Sequence, residues 1–292
     1  DLVALVVQGV EGLDQAESRD LGVDDLIDVA EGGRLVGIRE GGAVVVDELG
    51  EDRPGVHRME LDLHGGVAVA EVHDGEITGL LGPNGAGKTT TLRMLYSLLL
   101  PDQGQIRIDG LDPTRDAMAI KRTLGVVPDS RGLYTRMTAR ENIAYYGKLH
   151  GMHRDAIAQK ISELVDTLDM TDFIDRPSKG FSQGQRVKVA IARAMVHEPQ
   201  TVLLDEPSNG LDVMSTRALR RYVLDLKKAG HSVVLSTHIM QEVAALCDRI
   251  IIIAEGLIAA DGTPEALLAR SGCNTLEDAF VKLIGSEEGL LA

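Results

Sequence analysis

One stretch of the chain carries the glycine spacing and the lysine that phosphate binding requires. It matches the pattern G-x-x-x-x-G-K-[ST], and its residues are Gly82, Pro83, Asn84, Gly85, Ala86, Gly87, Lys88, Thr89 and Thr90. The glycines let backbone N–H groups curl around phosphate oxygens, and the N-terminus of a following helix adds a positive dipole end. We expect Lys88 to reach the β- and γ-phosphates and the Thr89 hydroxyl to ligate Mg²⁺. The stretch therefore predicts a phosphate-binding loop.

Two carboxylates follow an apolar run later in the chain. Residues 201–205 have the pattern of a buried strand, with Asp205 at its end and Glu206 directly after it. The carboxyl ends of parallel strands form the edge at which ligands bind in such folds. We expect Asp205 to hold Mg²⁺, directly or through water, and Glu206 to take a proton from an attacking water. Without the phosphate loop, the same pair would be interpreted as solvated acids that end a strand.

Strands and helices alternate from about residue 67 onward. The predicted strands are 76–81, 105–109, 124–127, 201–205, 231–236 and 249–254, and the predicted helices include 88–100, 154–170, 182–197 and 215–229. This alternation indicates an α/β domain with a largely parallel sheet. Residues 138–197 break it, since they are almost entirely helical. They predict a helical subdomain, about 129–198, inserted into the α/β core.

The first 66 residues differ in composition from the rest of the chain. They hold 16 Asp and Glu and 5 Arg, a net charge of −11 out of −15 for all 292 residues, and no Lys, Phe, Tyr or Trp. Their short apolar runs are broken by Gly pairs, and no period links them. Two interpretations stay open: a poorly packed or partly disordered extension, or a stretch that is not natural coding sequence. The predicted organisation is an N-terminal segment (1–66), an α/β domain (67–285) and a C-terminal tail (286–292).

The composition of the whole chain excludes several classes of function. Acidic residues outnumber basic ones by 45 to 30, so the chain lacks the basic footprint of a general nucleic-acid binder. No apolar run approaches the roughly 18 residues of a membrane span, and the first residues do not follow the order of a signal peptide. Cys247 and Cys273 allow neither a disulfide framework nor a four-ligand zinc site, which predicts a reducing, cytoplasmic setting. Work at a membrane would then require a partner.

Three further motifs have the order and spacing of a known family. Residues 181–185 (FSQGQ) resemble the LSGGQ signature of ATP-binding cassette (ABC) ATPases, with Phe181 and Gln183 as substitutions. Residues 236–238 (STH) resemble the switch histidine of that family, and residues 208–212 (SNGLD) resemble its D-loop. Together with the phosphate loop and the two carboxylates, the match extends from about residue 75 to 285.

The resemblance implies a P-loop NTPase fold of the ABC ATPase type, with a RecA-like parallel-sheet core, and hydrolysis of ATP with Mg²⁺. Its catalytic residues would be Lys88, Glu206 and His238, and its metal ligands would include Thr89 and Asp205. It also implies a head-to-tail homodimer that sandwiches ATP between two subunits. The phosphate loop of one subunit would face the signature and D-loop residues of the other, which are Ser182, Gly184, Gln185 and Asp212. Ser182 at a helix start would offer its hydroxyl and free N–H groups to the γ-phosphate.

The sequence departs from the family in two places. Where the family has a glutamine after the strand 124–127, this chain has Asp129, which can still contact Mg²⁺ or its water. The family also has an aromatic residue that stacks on adenine upstream of the phosphate loop. Here no aromatic residue precedes Tyr96, so we do not expect adenine stacking from that region.

Residues 210–217 and 240–249 look like the ATPase subunit of Nat-type sodium exporters. That group implies sodium export through a separate membrane-spanning permease, with this chain bound peripherally at the cytoplasmic face of the plasma membrane. The permease would contact residues 129–146, while cargo and nucleic acid would not touch the chain. Two alternatives stay open. A soluble ABC ATPase acting on ribosomes or DNA would usually show a second phosphate loop or a long coiled coil, and an ATP-binding but inactive protein would follow from a defective N-terminal β-subdomain.

Overall fold

The computed structural model describes residues 72–101 and 106–285, together with the backbone of four short strands nearer the N-terminus. These strands are β1 (Asp28–Ala30), β2 (Arg34–Arg39), β3 (Gly42–Val46) and β4 (Met59–Leu61). β1, β2 and β3 form an antiparallel sheet within the compact unit Asp1–Pro54. The rest of the predicted N-terminal segment and the predicted tail 286–292 lie outside the described residues.

The second compact unit, Gly55–Ala292, is built on a six-stranded sheet. Its strands are β5 (Ile77–Leu81), β7 (Leu124–Val127), β8 (Thr201–Asp205), β9 (Ser232–Thr237), β10 (Arg249–Ala254) and β11 (Leu257–Gly262). The order is β11-β10-β5-β9-β8-β7, and every neighbouring pair is parallel except β10 and β11. The predicted parallel α/β core is confirmed. The antiparallel edge strand β11 was not among the predicted elements.

Both faces of this sheet are covered. Every residue of β5, β8 and β9 is buried, and alternate side chains enter two separate groups of buried apolar residues. Val202 and Leu204 pack into one group, whereas Leu203 between them packs into the other. A parallel sheet buried on both faces requires continuous apolar strands, and this is the pattern that the sequence shows.

Helices cover these two faces, and three of them lie between β7 and β8 in the chain. They are α1 (Lys88–Leu95), α2 (Ala117–Thr123), α3 (Ala139–Leu149), α4 (Arg154–Thr167), α5 (Gln183–Met195), α6 (Val213–Lys228), α7 (Met240–Leu246), α8 (Pro264–Ser271) and α9 (Leu276–Ile284). In the described residues, no helix has both the length and the apolar character of a membrane-spanning segment. The helix predicted over 88–100 ends earlier, at Leu95. Ser97 takes a left-handed φ of 57°, and the next two N–H groups both turn back to the Arg93 carbonyl.

Between β7 and β8, α3 packs against both α4 and α5, and α5 packs against β7. Thr138 and Ser182 begin α3 and α5 with capping boxes, in which side chain and backbone satisfy each other's hydrogen bonds. Gly147 lets α3 approach α4, because a Cβ there would lie 2.8 Å from Ile157 Cγ1. Gly125 likewise lets β7 approach α5, since its Cβ would lie 2.7 Å from the Ala194 carbonyl oxygen.

The compact unit begins at Gly55, earlier than the predicted start of the α/β domain at residue 67. The reason is a strand pair: β4 lies antiparallel to β6 (Ile106–Ile108), with Met59 opposite Ile108 and Leu61 opposite Ile106. Because β6 follows α1 in the chain, this pairing joins residues 59–61 to the unit that carries the phosphate loop.

Candidate functional site

The phosphate loop connects β5 to α1 in a conformation that depends on its glycines. Gly85 and Gly87 have φ angles of 81° and 108°, which side chains with a Cβ rarely adopt. At Gly82 the constraint is space, because a Cβ there would collide with the carbonyl oxygen of Ile253 on β10. The loop therefore lies against a neighbouring strand, and its N–H groups and the start of α1 form one concave surface suited to anions.

Lys88 is the first residue of α1 and folds back over the loop. Its Nζ donates hydrogen bonds to the carbonyl oxygens of Gly82 (2.8 Å) and Pro83 (3.1 Å). The same ammonium lies 3.4 Å from Glu206 Oε1, and the lysine side chain is 6% exposed. A buried cation is stable only with such partners. The loop thus presents a preorganised positive charge at the place where phosphates would bind.

Asp205 receives two hydroxyl donors at the end of β8. Thr89 Oγ1 donates to Asp205 Oδ1 at 3.0 Å, and Ser236 Oγ donates to the same oxygen at 2.7 Å. Ser236 lies opposite Asp205 in the pairing of β8 with β9, so the parallel register brings the two side chains together. Ser236 belongs to the STH motif, but its contact with Asp205 was not predicted, because the register of β8 with β9 is not visible from the sequence.

Glu206 is held by the same neighbouring strand. Its N–H donates to Ser236 Oγ (3.0 Å) and to the Ser236 carbonyl oxygen (3.2 Å), and its φ is 46°, in the left-handed region. This backbone is unfavourable for a residue with a Cβ and persists only where surrounding contacts hold it. Oε2 of Glu206 lies 2.9 Å from His238 Nδ1. The carboxylate is therefore fixed between Lys88 on one side and His238 on the other.

These groups face an open cleft of about 440 Å³. Its lining residues are Asn84, Gly85, Gly87, Lys88, Thr89, Thr90, Asp129, Glu206, Asn209 and His238. Apart from Asn209, all were predicted site residues. Gly82, Pro83 and Ala86 belong to the loop but do not line the cleft. Asp205 is buried and accepts a hydrogen bond from Thr89. Asn209 was not predicted to line the site. It lies in the D-loop motif, of which only Asp212 was a predicted site residue.

The four residues Ser182, Gly184, Gln185 and Asp212 do not line this cleft, and they lie together elsewhere on the surface. Ser182 Oγ accepts from Gln185 N–H (3.2 Å), and Gln185 Oε1 accepts from Ser182 N–H (3.0 Å). A Cβ at Gly184 would lie 2.7 Å from Ser215 Oγ, which itself donates to Asp212 Oδ2 (2.9 Å). Hydrogen bonds from the Ser215 N–H and hydroxyl lower the pKa of Asp212. These four residues, the signature surface, thus lie close together, and Ser182 and Asp212 among them are exposed.

The donor set at the cleft fits a hydroxyl- and carboxylate-bound divalent cation. Thr89 and Asp205 are already hydrogen-bonded to each other, and Asp129 lines the same cleft. Across residues 72–101 and 106–285, no group of three or more His, Cys, Asp and Glu residues is arranged to hold a metal ion. Mg²⁺ fits such a site, because it commonly takes one or two protein ligands and completes its shell with substrate phosphates and water.

Comparison with known proteins agrees with this geometry. The sequence profile of the family described as ABC transporter matches residues 68–209. The chain belongs to the ATP-binding subunits of ABC transporters, a family of ATP hydrolases that bind ATP, typically with Mg²⁺. It is 45% identical, over 72% of this chain and 86% of the relative, to the ABC transporter ATP-binding protein NatA of Bacillus subtilis (strain 168). The resemblance to this family and the fold expected from it are confirmed.

Two further relatives support the same assignment. The Nod factor export ATP-binding protein I of Paraburkholderia xenovorans (strain LB400) is 37% identical over 70% of this chain and 68% of its own length. A solved structure of the ATP-binding subunit of an ABC transporter superposes with a TM-score of 0.70 at 26% identity. The superposed region covers 78% of this chain and 99% of the chain in the solved structure.

Proposed function

We propose that this chain binds and hydrolyses ATP in the cleft and that hydrolysis powers export through a separate membrane-spanning subunit. The observation that carries the proposal is the convergence on one cleft of Lys88, Glu206 and His238, which lie in the segments that follow β5, β8 and β9. A phosphate cradle, a fixed cation and an oriented carboxylate are the parts that phosphoryl transfer to water requires.

In the proposed reaction, the N–H groups of the loop and Lys88 bind the β- and γ-phosphates. Thr89, Asp205 and Asp129 would hold Mg²⁺, which supplies charge neutralisation at the transferring phosphoryl group. Glu206 accepts the proton of the attacking water through its carboxylate. His238 keeps that carboxylate oriented, because its Nδ1 lies 2.9 Å from Oε2, and it faces the same cleft.

We also propose that two copies assemble head to tail. Ser182 and Asp212 are exposed and lie outside the cleft of their own subunit, so they are available to a second copy. Val213 and Met214, directly after Asp212, are 68% and 71% exposed. Apolar side chains this exposed beside the signature surface favour burial against a partner.

The proposed cargo and place of action are supported by the relatives and by the sequence resemblance. Similarity to NatA and to a Nod factor export protein favours an exporter at the cytoplasmic face of the plasma membrane, with sodium ions as the cargo proposed from the Nat-type resemblance. Tyr134 and Tyr145, which are 46% and 38% exposed and in edge-to-face contact, lie in the region 129–146 proposed to receive the permease. The chain itself would contact neither the cargo nor nucleic acid.

The export proposal is tested by reconstitution. The chain is co-purified from membranes with the membrane subunit encoded beside it and placed in proteoliposomes, with ATP and labelled sodium both supplied on the side that carries the ATPase chain. We expect ATP-dependent sodium movement that a Tyr134→Asp, Tyr145→Asp variant loses while its soluble ATPase activity is retained. Co-purification without sodium movement would reject sodium as cargo. ATPase activity without any co-purified membrane subunit would favour the soluble ABC ATPase, and absence of ATPase activity would favour the inactive protein.

The N-terminal residues give a separate prediction. Removing residues 1–58 leaves β4 and its pairing with β6, so we expect the melting temperature to change little and ATP affinity to stay within a few-fold. None of the cleft-lining residues in the described part of the chain is Phe, Tyr or Trp, so GTP should compete with ATP at comparable concentrations. Thermal unfolding and nucleotide competition measure both effects. Removing residues 1–61, which takes β4 as well, is the matched control and should lower the melting temperature.

A large loss of stability on the shorter deletion would contradict this prediction. So would a strong preference for ATP over GTP, because either result requires residues 1–58 to complete the nucleotide site.

A further inference from the structure

Arg131 is buried in the turn after β7, two positions beyond Asp129. It is 7% exposed, and its Nη2 donates to the carbonyl oxygens of Pro207 (3.3 Å) and Asn209 (2.9 Å). Pro207 directly follows Glu206, and Asn209 lies three residues after it. The Arg131 guanidinium group therefore connects the turn that contains Asp129 to the loop that follows Glu206, the proposed general base.

A second buried guanidinium group holds that turn. Arg193 on α5 is 3% exposed; its Nη2 donates to the Arg131 carbonyl oxygen (2.8 Å) and its Nη1 to that of Gly132 (2.9 Å). Arg131 and Gly132 have φ angles of 54° and 45°, so this turn is left-handed at both positions. The Arg193 guanidinium carbon lies 4.4 Å from the centre of the Tyr146 ring. The two arginines thus link α3, α5 and the loop after Glu206.

This arrangement is costly to build. Burial lowers the pKa of both guanidinium groups, and the hydrogen bonds described for them go to neutral carbonyl oxygens rather than to a carboxylate. A buried cation without a directly bonded anion stabilises a fold poorly, and an apolar side chain would avoid the penalty. The planar guanidinium instead provides several fixed donors, which a lysine cannot reproduce. These contacts hold the carbonyl groups of Arg131, Gly132, Pro207 and Asn209 in place.

We propose that Arg131 is a positioning residue for Glu206, with Arg193 holding Arg131 in place. Glu206 has a left-handed backbone that surrounding contacts must hold, and Ser236 anchors only its N–H side. Arg131 anchors the other side through Pro207 and Asn209. The proposal rests on the role of Glu206 in the proposed function. Because Tyr146 contacts Arg193 and also Tyr145 at the exposed aromatic surface, the same contacts connect that surface to the cleft.

The test compares Arg131→Lys and Arg131→Met with Arg154→Met, an exposed arginine at the start of α4 that lies outside the cleft and outside residues 129–146. We expect kcat to fall about 10- to 100-fold in the Arg131 variants, as for other small displacements of a reacting group, with Arg131→Lys the milder. Affinity for ATP, measured with a fluorescent analogue, should change less than two- to three-fold, and Arg154→Met should behave as wild type. The melting temperature of each variant shows whether it folds.

The decisive measurement adds Arg131→Lys to a Glu206→Gln background. If Arg131 acts through Glu206, the slow residual turnover should not fall further. An equal loss in both backgrounds, wild-type kcat in Arg131→Lys, or a loss of ATP affinity matching the loss of kcat would each overturn the proposal. If Glu206→Gln alone turned over at the wild-type rate, the general-base assignment would fail, and the positioning proposal that rests on it would fail as well. If only Arg131→Lys did so, the base assignment would stand and the positioning role would not.

Discussion

Replacing Glu206 by glutamine is expected to lower ATP turnover by about 10²- to 10⁴-fold while leaving ATP binding intact. The amide keeps the shape of the side chain and can still lie beside Lys88 and His238, but it has no useful proton affinity. ATP should therefore bind, remain unhydrolysed and hold two subunits together. Phosphate release under single-turnover conditions measures the rate, and size-exclusion chromatography with ATP and Mg²⁺ measures the dimer.

Glu255→Gln is the matched control for this experiment. Glu255 is an exposed glutamate with a φ of 51°, so it shares the residue type and the left-handed backbone of Glu206 but does not line the cleft. Its substitution should leave turnover unchanged. Wild-type turnover in Glu206→Gln would mean that another group activates the water, and His238 would then be the first candidate to replace.

The second prediction separates nucleotide binding from dimer formation. Lys88→Ala removes the buried ammonium that is bonded to the Gly82 and Pro83 carbonyls, and we expect it to abolish ATP binding within one subunit. Ser182→Arg places a bulky cation on the exposed signature surface, outside the cleft. We expect it to leave ATP binding intact and to prevent the ATP-dependent dimer in a Glu206→Gln background. Equilibrium binding and size-exclusion chromatography report the two properties separately.

Thr138→Arg provides the control for Ser182→Arg. Each of the two residues begins a helix with a capping box, and loss of such a cap costs about 0.5–2 kcal/mol of stability. Thr138 begins α3 and is not one of the residues of the signature surface, so its substitution should destabilise the protein to a similar extent without affecting dimerisation. Equal dimer formation with and without Ser182→Arg would reject the head-to-tail arrangement, and retained ATP affinity in Lys88→Ala would reject the role given to the lysine.

The sequence by itself determined the features that depend on local patterns. β7, β8 and β10 have the predicted bounds, because continuous apolar runs ending in turn residues or acids specify buried strands. The phosphate-loop motif was predictable residue by residue, since Gly85 and Gly87 are required by the φ angles of a short segment, whereas the contact that requires Gly82 comes from Ile253 on β10. Where local signals conflict with packing, prediction was weaker: α1 ends at Leu95 although the apolar pattern continues to Leu100.

Only the tertiary structure decided how distant segments meet. The register of β8 with β9 brings Ser236 to Asp205 and Glu206, and the pairing of β4 with β6 moves the start of the compact unit to Gly55. The contacts of Arg131 with Pro207 and Asn209 join residues that are far apart in the chain, and no spacing rule indicates them. The physical reason is the same in each case: strand register and buried hydrogen bonds depend on which surfaces pack together, and local residue patterns do not contain that information.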